Sequence, residues 1–272
     1  MQINSIIYQQ AIVKYSVAGS GKTVVLIHGF GEDGTIWQSQ IDFLKPHFRV
    51  IVPDIPGSGQ SAFIPGANIE TYTEIIKLII DNEATKFPLQ EAEGLTIIGH
   101  SMGGYITMAF AEKYPQYLHS FGLFHSSAFA DTDEKKEARR KAVEFIKKKG
   151  GYTFLKLTMP TLFAEAFIEE YPEKISALIE KGKSFTNATL IQYYEAMINR
   201  PDRTAVLQNF NNPILFIMGE HDQAIPLQSG LQQCYLPVQS NVNILKQSAH
   251  MGMWEEKDKA NNLLFNFIVN KF

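Results

Sequence analysis

A serine hydroxyl is a poor nucleophile near neutral pH; it needs a base to take its proton and a third group to orient that base. Ser101, His250 and Asp222 are the candidates for those three roles. Ser101 lies in Gly99-His100-Ser101-Met102-Gly103, after the apolar run Leu95–Ile98 and before a helical pattern at Tyr105, Met108, Ala109 and Ala111. That is a strand, a tight turn and a helix with a serine at the apex. A G-x-S-x-G turn of this kind holds its serine in a strained backbone conformation and projects Oγ above the sheet edge. Side chains at Gly99 and Gly103 would collide with the neighbouring strand and helix. The helix behind Ser101 points its first amides and positive dipole end at any oxyanion formed there.

Asp222 follows the strand-like run Pro213–Met218, and His250 follows Val242–Leu245. In a parallel sheet the loops after the strand ends converge on one edge, where ligands bind, so residues distant in sequence can meet there. Asp131, beyond the earlier strand Ser120–Phe124, competes with Asp222 for the orienting role. An oxyanion needs two donors: the Met102 backbone N–H is one, and the Phe30 N–H of the loop His28-Gly29-Phe30-Gly31 is the other. His125, Phe129 and Ile225 are assigned to the substrate pocket, His125 with simple packing as an equal alternative. His28 is expected to shape its own loop, and His47, His119 and His221 have no evident partner.

The elements that must position these residues read as strand and helix in alternation. Ile6–Gln10 and Ala11–Val17 read as strands, and Ala18–Thr23 as a hairpin turn leading into Val24–Ile27. Thr35–Leu44 reads as a helix, Arg49–Val52 as a strand, and Ile69–Asp81 keeps a helical period. Such alternation predicts an α/β fold with a mostly parallel, doubly wound sheet. From Ser127 to Asn212 the strands stop, and helices are expected near Asp133–Lys149, Thr153–Phe163, Pro172–Lys181 and Ala188–Asn199. The expected division is a core of residues 1–126 and 213–272 with a helical cap insertion of 127–212. Within that insertion, the basic cluster Lys135–Lys149 reads as a solvated helix face, because Ala138, Ala142, Phe145 and Ile146 supply its apolar stripe.

Composition narrows the function further. The 272 residues are 45% hydrophobic and 19% charged with a net charge of −3, which argues against nucleic acid or an anionic membrane surface as a partner. No apolar run is long enough to span a bilayer, and no secretory leader is evident at the N-terminus, so the expected address is cytoplasmic. Cys234 is the single cysteine, expected to pack on a helix. Gly21-Lys22-Thr23 is not a phosphate loop: Ser16 stands where the leading glycine belongs, and a strand follows instead of a helix. Ala62 replaces the third glycine after Gly57 and Gly59, so no dinucleotide fingerprint forms. No cofactor is expected, and no metal either, since His and Cys show no ligand spacing.

Across nearly its whole length the chain resembles the α/β-hydrolase fold superfamily, in its serine-nucleophile, esterase-like branch with a helical cap. The resemblance is carried by His28-Gly29-Phe30, Asp54-x-x-Gly57-x-Gly59-x-Ser61, Gly99-His100-Ser101-Met102-Gly103-Gly104, Gly219-x-x-Asp222 and the region of His250. Ser101 in place of aspartate sets it apart from the branches that use a carboxylate nucleophile. Ala249 stands where many relatives have glycine. The resemblance implies a hydrolase acting on a small-molecule ester, a carboxylesterase with a Ser101–His250–Asp222 triad. Carbon–carbon bond hydrolysis on the same triad, or a ligand-binding member without turnover, are the alternatives. The cap is expected to enclose an apolar acyl pocket with no arginine obviously placed to clamp a carboxylate, Arg200 and Arg203 being the remaining candidates.

Overall fold

The computed structural model describes residues 1–86 and 94–269. Eight strands form one sheet in the order β1-β2-β4-β3-β5-β6-β7-β8. β1 (Gln2–Tyr8) and β2 (Ala11–Ala18) pair antiparallel at one edge, and β2 runs antiparallel to β4 (Arg49–Pro53). From β4 through β3 (Thr23–Ile27), β5 (Leu95–His100), β6 (Leu118–Phe124), β7 (Ile214–Gly219) and β8 (Ser240–Leu245), every pairing is parallel. Every residue of β3, β4, β5 and β7 is buried, as strands covered on both faces must be, which explains their unbroken apolar runs.

Two turns differ from expectation. The first strand ends at Tyr8, and Gln9 and Gln10 form the hairpin turn with φ of 47° and 68°. A two-residue hairpin turn of this hand wants Gly or Asn, so a Gln-Gln pair conceals it. Ala18–Thr23 is not a hairpin turn, because β2 pairs with β1 and β4 while β3 pairs with β4 and β5.

A 3-10 turn (Gly34–Trp37) leads into α1 (Gln38–Leu44), so the predicted single helix is a composite. α2 (Ile69–Lys86) and α3 (Met102–Lys113) pack on one another, and α1 packs on the C-terminal helices. Between β6 and β7 lie α4 (Asp133–Lys149), α5 (Gly151–Thr158), α6 (Glu165–Glu170), α7 (Pro172–Lys181), α8 (Asn187–Asn199) and α9 (Thr204–Asn209). After β7 come α10 (Leu227–Gln233), α11 (Gly252–Glu255) and α12 (Lys257–Val269). The expected helix Thr153–Phe163 stops at Thr158, and Pro160 starts a 3-10 turn instead. α6 and α9, at six residues each, and α11, at four, are too short to display a helical period.

β3 pairs with β4 on one side and β5 on the other, so strand order reverses there. The loops after β3 and β5 flank that switch point, which is where open α/β sheets bind ligands. The helices between β6 and β7 are tied to this edge by specific bonds. Tyr193 donates its hydroxyl to the Pro56 carbonyl at 2.9 Å, and Lys181 pairs with Asp33 at 2.7 Å; the loop that precedes them is held from α10, where the Gln233 amide bridges Ala128 N–H and Ser126 C=O at 2.8 and 2.9 Å. Among the described residues no helix is long and apolar enough to cross a membrane.

Candidate active site

Ser101 joins β5 to α3 with φ 50° and ψ −115°, a conformation that non-glycine residues rarely adopt. Its N–H donates to the Phe124 carbonyl at 3.0 Å, and its own carbonyl accepts from Gly104 N–H at 2.9 Å and Ser126 Oγ at 2.7 Å. A Cβ on Gly99 would stand 2.3 Å from the Gly103 oxygen, and one on Gly103 would stand 2.4 Å from the Ile27 oxygen. The turn is therefore wedged between β3 and its own helix, and the neighbours supply the bonds that hold a strained serine in place.

Asp222 and His250 are brought together by the loops after β7 and β8. Oδ2 of Asp222 lies 2.8 Å from Nδ1 of His250, and Oδ1 accepts the N–H groups of Ala224 and Ile225 at 2.8 and 2.9 Å. Burial alone would raise the Asp222 carboxyl; the rings of His250 and His125 outweigh it and hold the group well below the usual carboxylate range. His250 is also fixed through its backbone. Its N–H donates to Leu162 C=O, and its C=O accepts from Nε2 of His100, both at 2.9 Å. Ser101 and His250 line one cavity of about 300 Å³, together with Phe30, Tyr105, Tyr194 and Ile225. Asp131 is elsewhere: its two oxygens bind Arg139 Nε at 2.6 Å and Arg200 Nη2 at 2.9 Å.

Among the described residues, neither Phe30 nor Met102 gives its backbone N–H to another protein group. Met102 is the first residue of α3, where an amide has no partner inside the helix. The Gly29 amide is already used, donating to Glu32 Oε2 at 2.7 Å.

The three residues assigned to the pocket separate. Ile225 does line the cavity with Ser101 and His250. Phe129 instead lines a neighbouring cavity of about 330 Å³ with Asp131 and Arg200, where its carbonyl accepts from Arg200 Nη2 at 3.1 Å. His125 lines neither; it is fully buried behind Asp222, donating from Nδ1 to the same Oδ2 at 3.1 Å. Its φ of 49° turns it into the core, and Gly252 is required beside it, since a Cβ there would lie 2.6 Å from its Nε2. Burial pushes the His125 ring down to about 4, against the pull of Asp222. The metal-ligating atoms of His125, Asp222 and His250 lie within 4.8 Å of one another, but both Nδ1 atoms are engaged with the one carboxylate oxygen.

Sequence reasoning missed three participants. Glu32, directly after the His28–Gly31 loop, is buried with His100: Oε2 lies 3.0 Å from Nδ1. Lys135 and Arg139, read as part of a solvated face, line the cavity instead. The signal for them was their four-residue spacing alongside Ala138 and Ala142, which line the same cavity. Arg203 does not approach the site, since Glu112 and Glu70 hold it at 2.9 and 2.7 Å. His28 bonds within its own loop, Nδ1 to the Gly29 carbonyl at 2.9 Å, and joins it to the loop after β4, its Nε2 accepting the Ile55 N–H at 3.0 Å. Cys234 caps α10 and is buried, its thiol pushed up to about 11 by burial.

A mostly parallel sheet with a strained serine after β5 and the described loops at the switch point is the architecture of an α/β hydrolase. The chain belongs to the family described as serine aminopeptidase S33 (Hydrolase_4), whose model matches residues 19–257. It is similar to a 2-hydroxy-6-oxononadienedioate/2-hydroxy-6-oxononatrienedioate hydrolase of Paraburkholderia phymatum, 24% identical, with 94% of this chain and 90% of the relative covered. Among solved structures it resembles a thermophilic esterase from Thermogutta terrifontis, described with malate bound (TM-score 0.89, 27% identity, 98% of each chain). The enol-lactonase from Burkholderia xenovorans shares the fold (TM-score 0.87, 20% identity, 98% of this chain and 100% of that one). The chain is accordingly a hydrolase.

Proposed function

We propose that the chain is a serine hydrolase of small to medium carboxylic esters, with residues 127–212 acting as a cap over the site. The observation that carries this reading is the shared cavity of Ser101 and His250, with Asp222 2.8 Å behind the His250 ring. Asp222 on Nδ1 fixes the tautomer that leaves Nε2 to accept the serine proton. Ser101 Oγ attacks the ester carbonyl while His250 takes its proton. The Phe30 and Met102 amides and the N-terminus of α3 stabilise the oxyanion. The tetrahedral intermediate collapses, His250 protonates the departing alkoxide, and an acyl-enzyme remains. Water, activated by the same ring, then releases the acid and restores the serine.

Cleavage of a peptide with a free N-terminal amine is less compatible with this cavity, because Lys135 and Arg139 line it and would repel an ammonium group. The similarity to a carbon–carbon hydrolase favours one second reading: the same nucleophile acting on a ketone, with a carbanion in place of the alkoxide as leaving group. Treatment with a fluorophosphonate, followed by peptide mapping and a panel of p-nitrophenyl esters, tests the proposal. One adduct on Ser101 with ester turnover is expected. Labelling at another serine, or labelling without ester turnover but with cleavage of a vinylogous diketone, would replace it.

A further inference from the structure

The cavity that holds Ser101 carries an excess of positive charge that catalysis on a neutral ester does not use. α4 sends Lys135 and Arg139, one turn apart, to its wall. Arg139 spends its Nε on Asp131 at 2.6 Å, and among the described residues its two Nη groups have no protein acceptor. Asp131 also serves Arg200 at 2.9 Å, so one carboxylate answers two guanidinium groups. Among the described residues Lys135 has a neutral partner alone, the Ala224 carbonyl at 2.8 Å, on the loop that carries Asp222. The acid on the cavity wall, Glu32, is already matched by His100 at 3.0 Å.

Tyr105 stands in this field. Its ring lies in the same wall with the Arg200 guanidinium 3.7 Å from its centre. Burial would raise its phenol, yet Arg200, Arg139 and Lys135 together bring it below the ordinary value. A bound anion would be favoured by the same charges. A planar guanidinium with both Nη groups available matches a carboxylate in bidentate fashion, and a lysine adds a second point charge.

We propose that the cavity takes an anionic substrate, a small ester that also bears a carboxylate, and that Arg139 and Lys135 bind that carboxylate while Ser101 attacks the ester carbonyl. A half-ester of a short dicarboxylic acid is the simplest member of the class. The cavity, at about 300 Å³, admits such a molecule. The inference rests on the serine-hydrolase reading for its chemistry, but not for its binding.

Monomethyl glutarate and methyl pentanoate have the same chain length and differ in a terminal carboxylate against a methyl group. The kcat/KM ratio of the half-ester to the neutral ester, followed by proton release, should exceed about 10 in the unaltered protein. Lys135→Gln should lower that ratio about tenfold, and Arg139→Gln by up to about 100-fold, the range expected for hydrogen bonds to a charged group. A ratio at or below one, or a ratio that neither substitution moves, overturns the proposal. Arg139→Gln also removes one of the two guanidinium partners of Asp131; if it fails to fold, Lys135→Gln decides alone, because that side chain holds a loop carbonyl. Calorimetric titration of Ser101→Ala with glutarate separates the two readings. Binding that Lys135→Gln weakens supports the anion site even if neither ester is turned over, an outcome that would retire the serine-hydrolase reading alone. Ester turnover with no glutarate binding retires the anion site alone.

Discussion

Glu32 and His100 form a buried pair at the wall of the Ser101 cavity, with Oε2 of the acid 3.0 Å from Nδ1 of the ring. The other ring nitrogen, Nε2, meets the His250 carbonyl at 2.9 Å. Both nitrogens therefore face acceptors, an arrangement that only an imidazolium satisfies in full. Burial would push the His100 ring down, but the charge and hydrogen bond of Glu32 and the His250 carbonyl raise it above its ordinary value. Burial would likewise raise Glu32, and His100 with the Gly29 amide holds it below the usual carboxylate range. One ion pair thus joins the loop after β3, the turn at Ser101 and the backbone of His250.

Removing one partner of a buried ion pair strands the other. Glu32→Ala should cost about 3–5 kcal/mol of stability. Glu32→Gln should cost less, because an amide oxygen in the place of Oε2 can still accept from the Gly29 N–H and from Nδ1–H of a neutral His100. The raised His100 contributes stability that is present at low pH and lost as pH rises through its folded value; the lowered Glu32 contributes stability lost as pH falls through its own. Urea titrations across pH should therefore show the alkaline loss in the unaltered protein and its absence in Glu32→Gln. Equal damage from both substitutions would contradict a charged pair.

Asp222, and not Asp131, should orient the base. Asp222→Asn should lower kcat by roughly 10⁴ by favouring the wrong imidazole tautomer. Asp131→Asn instead leaves Arg139 and Arg200 without their carboxylate, so its main effect should be a loss of stability, with a much smaller change in kcat. Steady-state kinetics beside thermal melts of both variants rank them; the reverse order in kcat would move the acid to Asp131.

His125 should give the protein an acid limb in its stability. Its folded value of about 4 lies below that of an unfolded histidine, so from about pH 6.5 downward the unfolded chain binds a proton that the native ring refuses. Stability is retained above that window and falls through it, by up to about 3 kcal/mol at pH 4. His125→Asn should flatten this limb, since asparagine tolerates positive φ and can still donate to Asp222. An unchanged limb in that variant, measured by denaturant midpoints from pH 7 to pH 4, would show that another group sets it.

The His125–Asp222–His250 cluster should act through hydrogen bonds and not through a bound ion. Prolonged dialysis against EDTA should leave ester turnover unaltered. A loss that added zinc restores would make the cluster a metal centre.

Much of this was legible in the chain, and the legible parts share a cause. The turn at Ser101 announces itself because Gly99 and Gly103 are needed within a few residues of the serine, where a strand and a helix cross at contact distance. Asp222 and His250 could be placed because parallel strands deliver their following loops to one edge whatever lies between them. Each is a local signal, read from spacing along one stretch. The choice between Asp131 and Asp222 was not of that kind; both follow strands, and only the positions of Arg139 and Arg200 and of the His250 ring separate them. Lys135 and Arg139 look like any solvated face until α8 and the Asp222 loop close over them. His125 looked like a pocket residue because it follows a strand end, yet its backbone turns inward at φ 49° and a glycine 127 positions later makes room for it. The pairing of Glu32 with His100 spans 68 residues. Spacing determined where Ser101, Asp222 and His250 stand; which charges neutralise one another, and which face the cavity, depends on contacts between segments that only the folded chain brings together.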